Sequence, residues 1–447
     1  MKFSIKKLNK YYDSFHVYKL FKDNKDSIFL DSSKEDSNLS KYSFIGVNPI
    51  CKYVCKGKNS YINGELVDTK EPFKVLDELV NKYKIDVDSD IPFIGGAIGY
   101  FSYDMGRNLE NLPNTSKEDF YIPESIFIFY NNIIIFDLEN KNTYISSLGL
   151  IENDIDEIEK ALLNYNEEYE VEITDNKSDF ISNFNKEEYI QAIKKMKDYI
   201  KRGHMYIANM TRRIYTNNNE ESFNIYKRLR DINKAPFSAY MNFEGFQVIS
   251  SSPERFLYIK DRKVFTRPIK GTRPRGRNKE EDEKNKLELM NSEKDKSELL
   301  MIVDLERNDL SKVCKPKTVK VSELYKIEEY ATVFHLVSSI EGELEDNVSS
   351  VKCMSECFPG GSITGAPKIR AMEIIEEIEG LKRNLYTGSI GYFDLRGNCD
   401  FNIVIRTIIK KNNKAYIGIG GGITYESEEE AEWYETIDKA KALMRVL

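Results

Sequence analysis

No long hydrophobic run occurs in this chain of 447 residues. A membrane-spanning helix needs about 18 or more consecutive apolar residues, and the N-terminal Met1–Leu8 leads instead into polar, aromatic-rich sequence. This absence argues against a transmembrane protein and against a secretory signal peptide. We therefore expect a cytoplasmic protein with no membrane contact.

A basic excess is also lacking. The formal net charge is -7, whereas proteins that bind the phosphates of nucleic acids usually carry a clear positive excess. We therefore expect no nucleic-acid partner. With 40% hydrophobic and 31% charged residues, the composition is that of an ordinary globular protein, long enough for a large core and for two or three domains.

Cysteine is scarce and follows no known functional spacing. None of the six cysteines forms a C-x-x-C pair or precedes a zinc-finger histidine. The pattern disfavours a structural zinc site, and the thiols are predicted to be reduced and mostly structural. The cysteines are Cys51, Cys55, Cys314, Cys353, Cys357 and Cys399.

Nucleotide-binding fingerprints are missing, although two glycine-rich stretches are present. Phe358–Lys368, which runs into a helix predicted over 368–378, and Gly418–Thr424 contain neither a Gly-Lys-[Ser/Thr] triplet nor a dinucleotide pattern. Both are predicted to be loops whose backbone N–H groups can converge on an anion. A carboxylate substrate fits them as well as a phosphate does.

The segment Arg267–Gly276 places Lys270 between two prolines and directly before Gly271, so it is predicted to be a rigid, irregular loop. A lysine attacks carbon only as the uncharged amine, and its pKa of about 10.4 must first be lowered by burial or by nearby positive charge. Such charge is present in sequence at Arg267, Arg273, Arg275 and Arg277. The alternative is a basic loop that only attracts an anion.

The chain divides into two segments, 1–176 and 185–447, at a polar linker, Thr174–Ser178. Helices are predicted over 73–83, after residue 152, over 186–202 and through a long region at 280–310. Apolar runs predict strands at 27–30, 42–45, 93–100, 125–136, 237–243, 247–250 and 256–259.

Glu254 lies sixteen residues before Lys270, with a predicted strand and a turn at Asp261–Lys263 between them. A hairpin-like return of the chain would bring the two side chains together, which would place a carboxyl acid or base beside an amine nucleophile. The alternative is an ordinary surface pair of Glu254 with Arg255.

Three carboxylates lie on or beside apolar helix faces. Glu298 shares a face with apolar residues, and Glu432, Glu435 and Lys439 follow helical spacing beside an apolar stripe. A carboxylate in such a place must be paired or bind a cation, and three of them suit an octahedral Mg²⁺ that also meets an anionic substrate. The alternative for Glu432 and Glu435 is a solvated charged face.

Arg406 is alone in the apolar run Phe401–Ile409, which is predicted to be a strand. It is either a buried structural ion pair or a clamp that holds a carboxylate through two hydrogen bonds. The residues by themselves leave both interpretations open.

These motifs, in this order, closely resemble those of the chorismate-binding enzymes. The matching stretches are Ser252–Phe256, Pro268–Gly276, Ser297–Leu310, Phe358–Lys368 and Gly420–Ile423, and the resemblance extends into the first segment at Leu30–Ser32 and Lys41–Gly46. It implies an α+β fold with two packed β-sheet halves flanked by helices, as in anthranilate synthase component I, with 1–176 as the N-terminal region and 185–447 as the catalytic region.

Lys270 resembles one branch of the family in particular. Anthranilate, isochorismate and salicylate synthases have alanine there, whereas the lysine is similar to that of aminodeoxychorismate synthase component I, a transaminase-class enzyme in which it attacks C2 of chorismate. The water-activating lysine of isochorismate synthases is replaced by Ala208, and Ile207 stands where glutamine is common in this branch. The resemblance implies 4-amino-4-deoxychorismate as product, in 4-aminobenzoate and folate biosynthesis.

The resemblance also implies roles for individual residues. Lys270 and Glu254 match the nucleophile and the general acid/base, and Glu298, Glu435 and Glu432 match ligands of Mg²⁺. Positions that match chorismate-binding residues are Gly271, Thr272, His335, Thr364, Tyr386, Arg406, Gly420, Gly421, Gly422 and Lys439. Some relatives bind tryptophan at positions that match Ser32, Tyr42, Pro236, Phe237 and Ser238.

A partner is implied as well. The sequence contains no glutamine amidotransferase signature, so a separate glutaminase subunit is expected to supply ammonia. Two other functions are weighed against chorismate amination at C4: an anthranilate synthase component I, and a non-catalytic subunit that only activates a glutaminase.

Overall fold

Short strands and amphipathic helices alternate along both segments of the chain. The computed structural model describes residues 2–33, 39–152, 154–164, 179–329 and 333–447. The predicted linker Thr174–Ser178 lies outside the described residues.

The helices pack around the sheet. They are α1 Ser14–Tyr18, α2 Pro72–Lys82, α3 Asp154–Leu163, α4 Lys186–Lys201, α5 Ser222–Ile232, α6 Lys279–Asn291, α7 Glu293–Ser311, α8 Ser350–Cys357, α9 Lys368–Glu379 and α10 Glu429–Arg445, with 3-10 turns at Tyr103–Asn108 and Gly361–Ile363. The helices predicted over 73–83, 186–202 and 368–378 are confirmed to within a residue or two.

The strands are mostly short and antiparallel. In the first segment they are β1 Ser4–Lys7, β2 Ser27–Asp31, β3 Tyr42–Lys56, β4 Asn59–Ile62, β5 Glu65–Leu66, β6 Gly96–Phe101, β7 Ser125–Asp137 and β8 Asn142–Ser147. In the second they are β9 Ile181–Ser182, β10 Ile207–Asn217, β11 Phe237–Phe243, β12 Phe246–Ser252, β13 Arg255–Lys260, β14 Lys263–Thr266, β15 Ile269–Pro274, β16 Lys320–Glu329, β17 Val333–Glu343, β18 Gly365–Ala366, β19 Ser389–Asp394, β20 Cys399–Asn402, β21 Thr407–Lys411 and β22 Lys414–Ile423.

Strands of the two segments pair with each other. Leu30 in β2 lies opposite Ala239 in β11, and Gly99 in β6 lies opposite Gly391 in β19. All the strands named above belong to one hydrogen-bonded network. The first segment therefore supports the same sheet that carries the motifs of the second.

Aromatic side chains from both segments fill the main core. The rings of Phe127 and Phe393 have centroids 5.4 Å apart, and Phe393 lies 4.7 Å from Phe401. Each of the three is fully buried. Aromatic rings bury large apolar areas, so this cluster contributes strongly to holding the two segments together.

The long helical region predicted over 280–310 is confirmed, and it consists of two helices, α6 and α7. The chain breaks at Ser292, which ends α6 and caps α7 by accepting a hydrogen bond from the Asp295 N–H at its side-chain oxygen. Serine is a favoured N-cap because its hydroxyl satisfies one of the free N–H groups of a new helix. The break lets α7, which carries Glu298, take its own direction.

Three local predictions near the motifs are wrong. The loop predicted over 267–276 is mostly strand β15, and the glycine-rich stretch Gly418–Thr424 is the end of strand β22 rather than a loop. Conversely, the strand predicted over Phe401–Ile409 is interrupted, and Arg406 lies between β20 and β21 with a φ of 50°. Backbone pairing with neighbouring strands, which a single sequence does not display, decides each case.

The fold bears on the predictions about the cysteines and about membrane-spanning helices. All six cysteines are free and buried, which confirms their prediction as unpaired thiols. Among the described helices, none has both the length and the apolar character needed to cross a bilayer.

Candidate active site

Lys270 is held in place by a bulge in strand β15. Lys270 lies opposite Leu336 of β17 and Thr272 lies opposite His335, so Gly271 is the extra residue between two consecutive pairs. Its φ of +75° favours glycine, and a Cβ there would lie only 2.8 Å from the Leu289 side chain. The bulge, rather than the two prolines alone, sets the direction of the lysine.

Most of the arginines near Lys270 in sequence are paired with acidic side chains. Three of the four form ion pairs with carboxylates: Arg267 with Glu328 at 2.6 Å, Arg273 with Glu288 at 2.8 Å and Arg275 with Asp282 at 2.6 Å. They therefore do not act as uncompensated positive charge beside the lysine, as the sequence suggested. The pairing weakens the anion-attracting alternative for the same reason.

The Lys270 amine lies between two glycine-containing stretches. Its Nζ donates to the Ser362 carbonyl at 3.1 Å, and a Cβ added to Gly422 would lie 3.3 Å from the same nitrogen and 3.4 Å from Ile207 Cδ1. The Ser362 hydroxyl is buried and lies close enough to Glu254 to affect that carboxyl. An amine, an apolar wall and a hydroxyl thus meet at one point.

Glu254 is brought close to Lys270 by the hairpin of strands β13 and β14. Strands β13 and β14 pair antiparallel, with Tyr258 opposite Phe265, which is the return of the chain predicted from the sequence. Glu254 is 6% exposed. Burial raises the pKa of its carboxyl, although the Ser362 side chain and the charge of Lys270 act in the opposite direction. A carboxyl with a raised pKa can hold a proton closer to neutral pH and so act as a general acid.

The end of strand β22 brings the helix carboxylates to the same place. A Cβ on Gly421 would lie 3.2 Å from Glu432 Oε2 and 3.4 Å from Glu435 Oε1, and one on Gly422 would lie 3.9 Å from Glu298 Oε2. Pairing of β22 with β21 ends at Ile417, whereas pairing with β10 continues past all three glycines. The glycines therefore leave backbone edge and space open to the carboxylates.

The pKa values of the three carboxylates are shifted in different directions. Burial raises the pKa of Glu298, and neighbouring Glu435 adds to this; burial and Glu435 likewise raise the pKa of Glu432. For Glu435 burial acts upward too, but the Lys439 ammonium, 2.6 Å away, brings the pKa below its ordinary value. Mutual repulsion of this kind is relieved when a cation binds.

We tested whether these residues fit a Mg²⁺ ion. Glu298 and Glu432 are 9% and 5% exposed, and the nearest ammonium to Glu298 is that of Lys294, 4.0 Å away. Glu435 is half exposed and already pairs with Lys439 at 2.6 Å, whereas Glu298 and Glu432 have no ammonium closer than 4.0 Å among the described residues. Together the three form an all-oxygen set, which fits a hard divalent cation. The described residues nevertheless contain no group of three or more acidic, histidine or cysteine side chains already arranged around a metal position.

Other predicted substrate-binding residues have defined places. Thr272 Oγ1 and His335 Nδ1 are 2.9 Å apart, next to the bulge. Tyr386 packs its ring against Gly418, and Lys439 Nζ donates to the Gly420 carbonyl at 3.0 Å. Thr364 is fully buried and donates its hydroxyl to the Gly360 carbonyl at 2.9 Å, so in this structure it braces the loop.

Arg406 has no carboxylate partner among the described residues. Counting the described residues alone, its side chain makes a single hydrogen bond, to Asn233 Oδ1 at 3.3 Å, and burial lowers the pKa of the guanidinium. Because no carboxylate pairs with Arg406, the interpretation as a structural ion pair is wrong for the described residues. A partly buried guanidinium without a counter-charge costs folding free energy, which a bound anion would offset. The arrangement suits an external anion.

A separate cavity lies where the two segments meet. Its volume is about 440 Å³, within the range of about 300–1,000 Å³ that is usual for small-molecule sites. It is lined by residues that include Ser32, Tyr42, Pro236, Phe237 and Ser238. The five residues predicted as a tryptophan site are therefore brought together around one cavity.

Sequence reasoning missed two residues beside Lys270. Ser362 was hidden in the glycine-rich loop, and Glu306 of α7, which is 5% exposed, was grouped with the charges of its helix. The spacing of Glu306 from Glu298, two helical turns and a little more, could have placed both on nearby faces.

Comparisons with known proteins give a family for this chain. The chain matches the family described as chorismate binding enzyme over residues 25–445. It is 37% identical to anthranilate synthase component 1 of Acetivibrio thermocellus (96% of this chain, 92% of the relative) and 36% identical to aminodeoxychorismate synthase component 1 of Escherichia coli K12 (94% and 93%).

A solved structure confirms the predicted α+β, anthranilate synthase component I-like fold. Anthranilate synthase component I from Streptococcus pneumoniae TIGR4 superposes with a TM-score of 0.83 at 29% identity, covering 92% of this chain and 94% of the other. The family match and the relatives cover most of the chain, and this chain belongs to the chorismate-binding enzyme family.

Proposed function

We propose that this chain converts chorismate and ammonia to 4-amino-4-deoxychorismate, with Lys270 as a covalent nucleophile. The observation that carries the proposal is the position of the Lys270 amine, which lies against Gly422 and Ser362 and close enough to Glu254 for its charge to oppose, in part, the rise in the pKa of that carboxyl caused by burial. A relative named aminodeoxychorismate synthase component 1 is also 36% identical to this chain.

The proposed chemistry has two balanced steps. The neutral Lys270 amine forms a bond to C2 of chorismate, the ring double bonds shift, and the C4 hydroxyl leaves as water with a proton from Glu254. Ammonia then bonds to C4, the double bonds shift back, and the C2–nitrogen bond breaks to release the lysine. Glu254 takes back a proton in the second step, so it serves as acid and then as base.

Binding depends on two carboxylates of the substrate. Arg406, without a carboxylate partner in the described residues, and the open backbone edge at Gly420–Gly422 can each accept one of them. We propose that Glu298 and Glu435, with Glu432 close by, hold Mg²⁺, which when bound supplies positive charge to a substrate carboxylate.

Ammonia is proposed to come from a separate glutaminase subunit. The relatives are named as component 1 enzymes, which implies a second component, and the chain carries no glutaminase signature. A cytoplasmic location, predicted from the lack of a long apolar run, belongs to the same proposal.

Anthranilate synthesis is the second candidate, because a relative of that name is 37% identical over nearly the whole chain. The two activities differ in the position that ammonia attacks. Lys270 favours amination at C4, because an amine already bonded to C2 blocks ammonia from that carbon.

A direct assay separates the candidates. Purified chain, chorismate, Mg²⁺ and a high concentration of ammonium salt are expected to give 4-amino-4-deoxychorismate, measured by liquid chromatography with mass detection, and no pyruvate. Anthranilate as the main product would overturn the assignment. Absence of any chorismate consumption would instead favour a non-catalytic subunit.

Replacing Arg406 with lysine is expected to raise the KM for chorismate about 10 to 100-fold, because a point charge replaces a paired hydrogen-bond donor for a carboxylate. Steady-state kinetics would measure it, with kcat changed much less. Arg228→Lys is a matched control, since Arg228 is already paired with Glu220 at 2.5 Å. An unchanged KM in Arg406→Lys would remove Arg406 from the binding site.

The cavity lined by Ser32, Tyr42 and Pro236–Ser238 is proposed to bind tryptophan. It combines the apolar walls of Pro236 and Phe237 with the polar side chains of Ser32, Tyr42 and Ser238, groups that suit an amino acid.

A further inference from the structure

Glu306 is a buried acid that the proposed chemistry leaves unused. It is 5% exposed, and within the described part of the chain the only hydrogen bond to its side chain is donated by Thr266 Oγ1 at 2.7 Å. No lysine, arginine or histidine nitrogen of the described residues lies within ion-pair distance of it. A buried carboxylate with no cation beside it is strongly disfavoured, so the geometry points to a neutral carboxylic acid.

The groups that face Glu306 support this charge state. Burial raises its pKa to about 8; the Thr266 hydrogen bond and Lys368 act downward, and Glu254 and Asp309 act upward. The charge of Lys368 is largely taken up by Asp309, 2.5 Å away. Glu306 therefore lies near a second buried carboxyl, that of Glu254, and has no unpaired cation beside it among the described residues.

Thr266 connects Glu306 to the strand of the nucleophile. Thr266 lies opposite Ile340 of β17, and Lys270 lies opposite Leu336 of the same strand. Positions four apart on a strand face the same side of a sheet. Thr266 and Lys270 thus lie on one face, and the hydrogen bond to Glu306 fixes the chain shortly before the nucleophile.

Glu306 also supports the loop on the opposite side of Lys270. Its Cγ lies 3.5 Å from the position that a Cβ on Gly361 would occupy, so the side chain packs against the residue before Ser362. The Ser362 carbonyl accepts the hydrogen bond from Lys270 Nζ. One side chain therefore touches both structures that determine where the lysine amine lies.

We propose that Glu306 is a positioning residue whose protonated carboxyl keeps the Thr266–Lys270 segment, from the end of β14 into β15, and the 3-10 turn at Gly361–Ile363 in place for reaction at Lys270. The proposal rests on the proposed function for its kinetic consequences, although the protonation state itself does not. Ionisation of Glu306 would put a second negative charge near Glu254, which would disturb the packing and hinder proton release from the acid.

The test is the pH dependence of kcat in the wild-type chain and in Glu306→Gln. Chorismate and Mg²⁺ are kept saturating, and the ammonium salt is adjusted at each pH so that un-ionised ammonia is saturating too. Glutamine keeps an acceptor for Thr266 and cannot ionise. We expect Glu306→Gln to retain activity within about threefold at neutral pH and to lack the additional alkaline fall of the wild type, about tenfold per pH unit above about pH 8, while the titration of Glu254 stays common to both chains. The same alkaline fall in Glu306→Gln would overturn the proposal.

A second measurement does not depend on turnover. Infrared difference spectra between the wild type and Glu306→Gln should show the C=O stretch of a protonated carboxylic acid at neutral pH, lost as the pH rises through about 8. Absence of the band would overturn the proposal even if the chain proved inactive on chorismate. A chain that shows the band yet consumes no chorismate would support the protonation state and reject only the proposed function.

Two further variants complete the test. Thr266→Val removes the hydroxyl, and it is expected to lower kcat and move the alkaline fall to higher pH, because the hydrogen bond that lowers the Glu306 pKa is lost. It serves in place of Glu306→Gln should that variant fold poorly, and an unmoved pH profile in it would count against the proposal. Asp304→Asn, on the same helix with a side chain 72% exposed, is the matched control and should leave the profile unchanged.

Discussion

Lys270→Ala is expected to lower formation of 4-amino-4-deoxychorismate by at least about a thousandfold. An amine held beside the carbon that it attacks has an effective concentration far above that of any dissolved nucleophile, about 10⁵ M or more in favourable cases. The lysine hydrogen-bonds to the Ser362 carbonyl and lies against Gly422, so alanine removes the attacking atom and leaves the backbone around it in place.

Mass spectrometry tests the covalent step directly. Wild-type chain mixed with chorismate and Mg²⁺, without ammonia, should carry an adduct on the peptide that contains Lys270, and Lys270→Ala should carry none. Lys294→Ala is a suitable control, because Lys294 is near Glu298 but is 45% exposed and has no role as nucleophile in this mechanism. Normal product formation by Lys270→Ala would reduce the lysine to a basic residue that attracts an anion.

Glu298→Gln is expected to lower turnover by about a thousandfold, because a metal ion that stabilises developing charge contributes several kcal/mol to the transition state. Glutamine has nearly the same shape and hydrogen-bonding reach but no charge. The fold should persist, since the raised pKa of Glu298 reflects a buried charge that costs stability when no cation binds it.

Calorimetric titration with Mg²⁺ in the presence of chorismate would show whether the lost activity is lost metal binding. Glu435→Gln should behave like Glu298→Gln. Glu293→Gln, on the same helix as Glu298 with a side chain 86% exposed, should bind Mg²⁺ as the wild type does. Full Mg²⁺-dependent activity in Glu298→Gln would exclude that residue as a ligand.

Local patterns predicted most of the elements but not their pairing. The amphipathic helix α4 follows directly from its apolar stripe and its capping box at Asn185. The glycines of β22 look like a loop by propensity, because nothing local reveals that β10 lies alongside. Arg406 lies outside any strand because its φ of 50° breaks the run, a constraint that no apolar pattern encodes.

The proposed site was found through its motifs, and the electrostatics around it could not be predicted. The spacing of Glu254 and Lys270 indicated a hairpin, which β13 and β14 form. The arginines were interpreted as free charge, whereas Arg273 and Arg275 are paired with acids from α6, a helix that follows in sequence but folds back over β15. Partners brought in by tertiary packing decide such charges.

The glycines at the end of strand β22 limit which positions of the site can be substituted. A methyl group on Gly421 or Gly422 would come within 3.2–3.4 Å of carboxylate, amine or side-chain carbon atoms, so those side chains would have to shift by a few tenths of an ångström. Ile207, whose side chain already lies beside Gly422, can be exchanged for a smaller residue without such crowding. We therefore expect changes of selectivity to be tolerated more readily at Ile207 than at the two glycines.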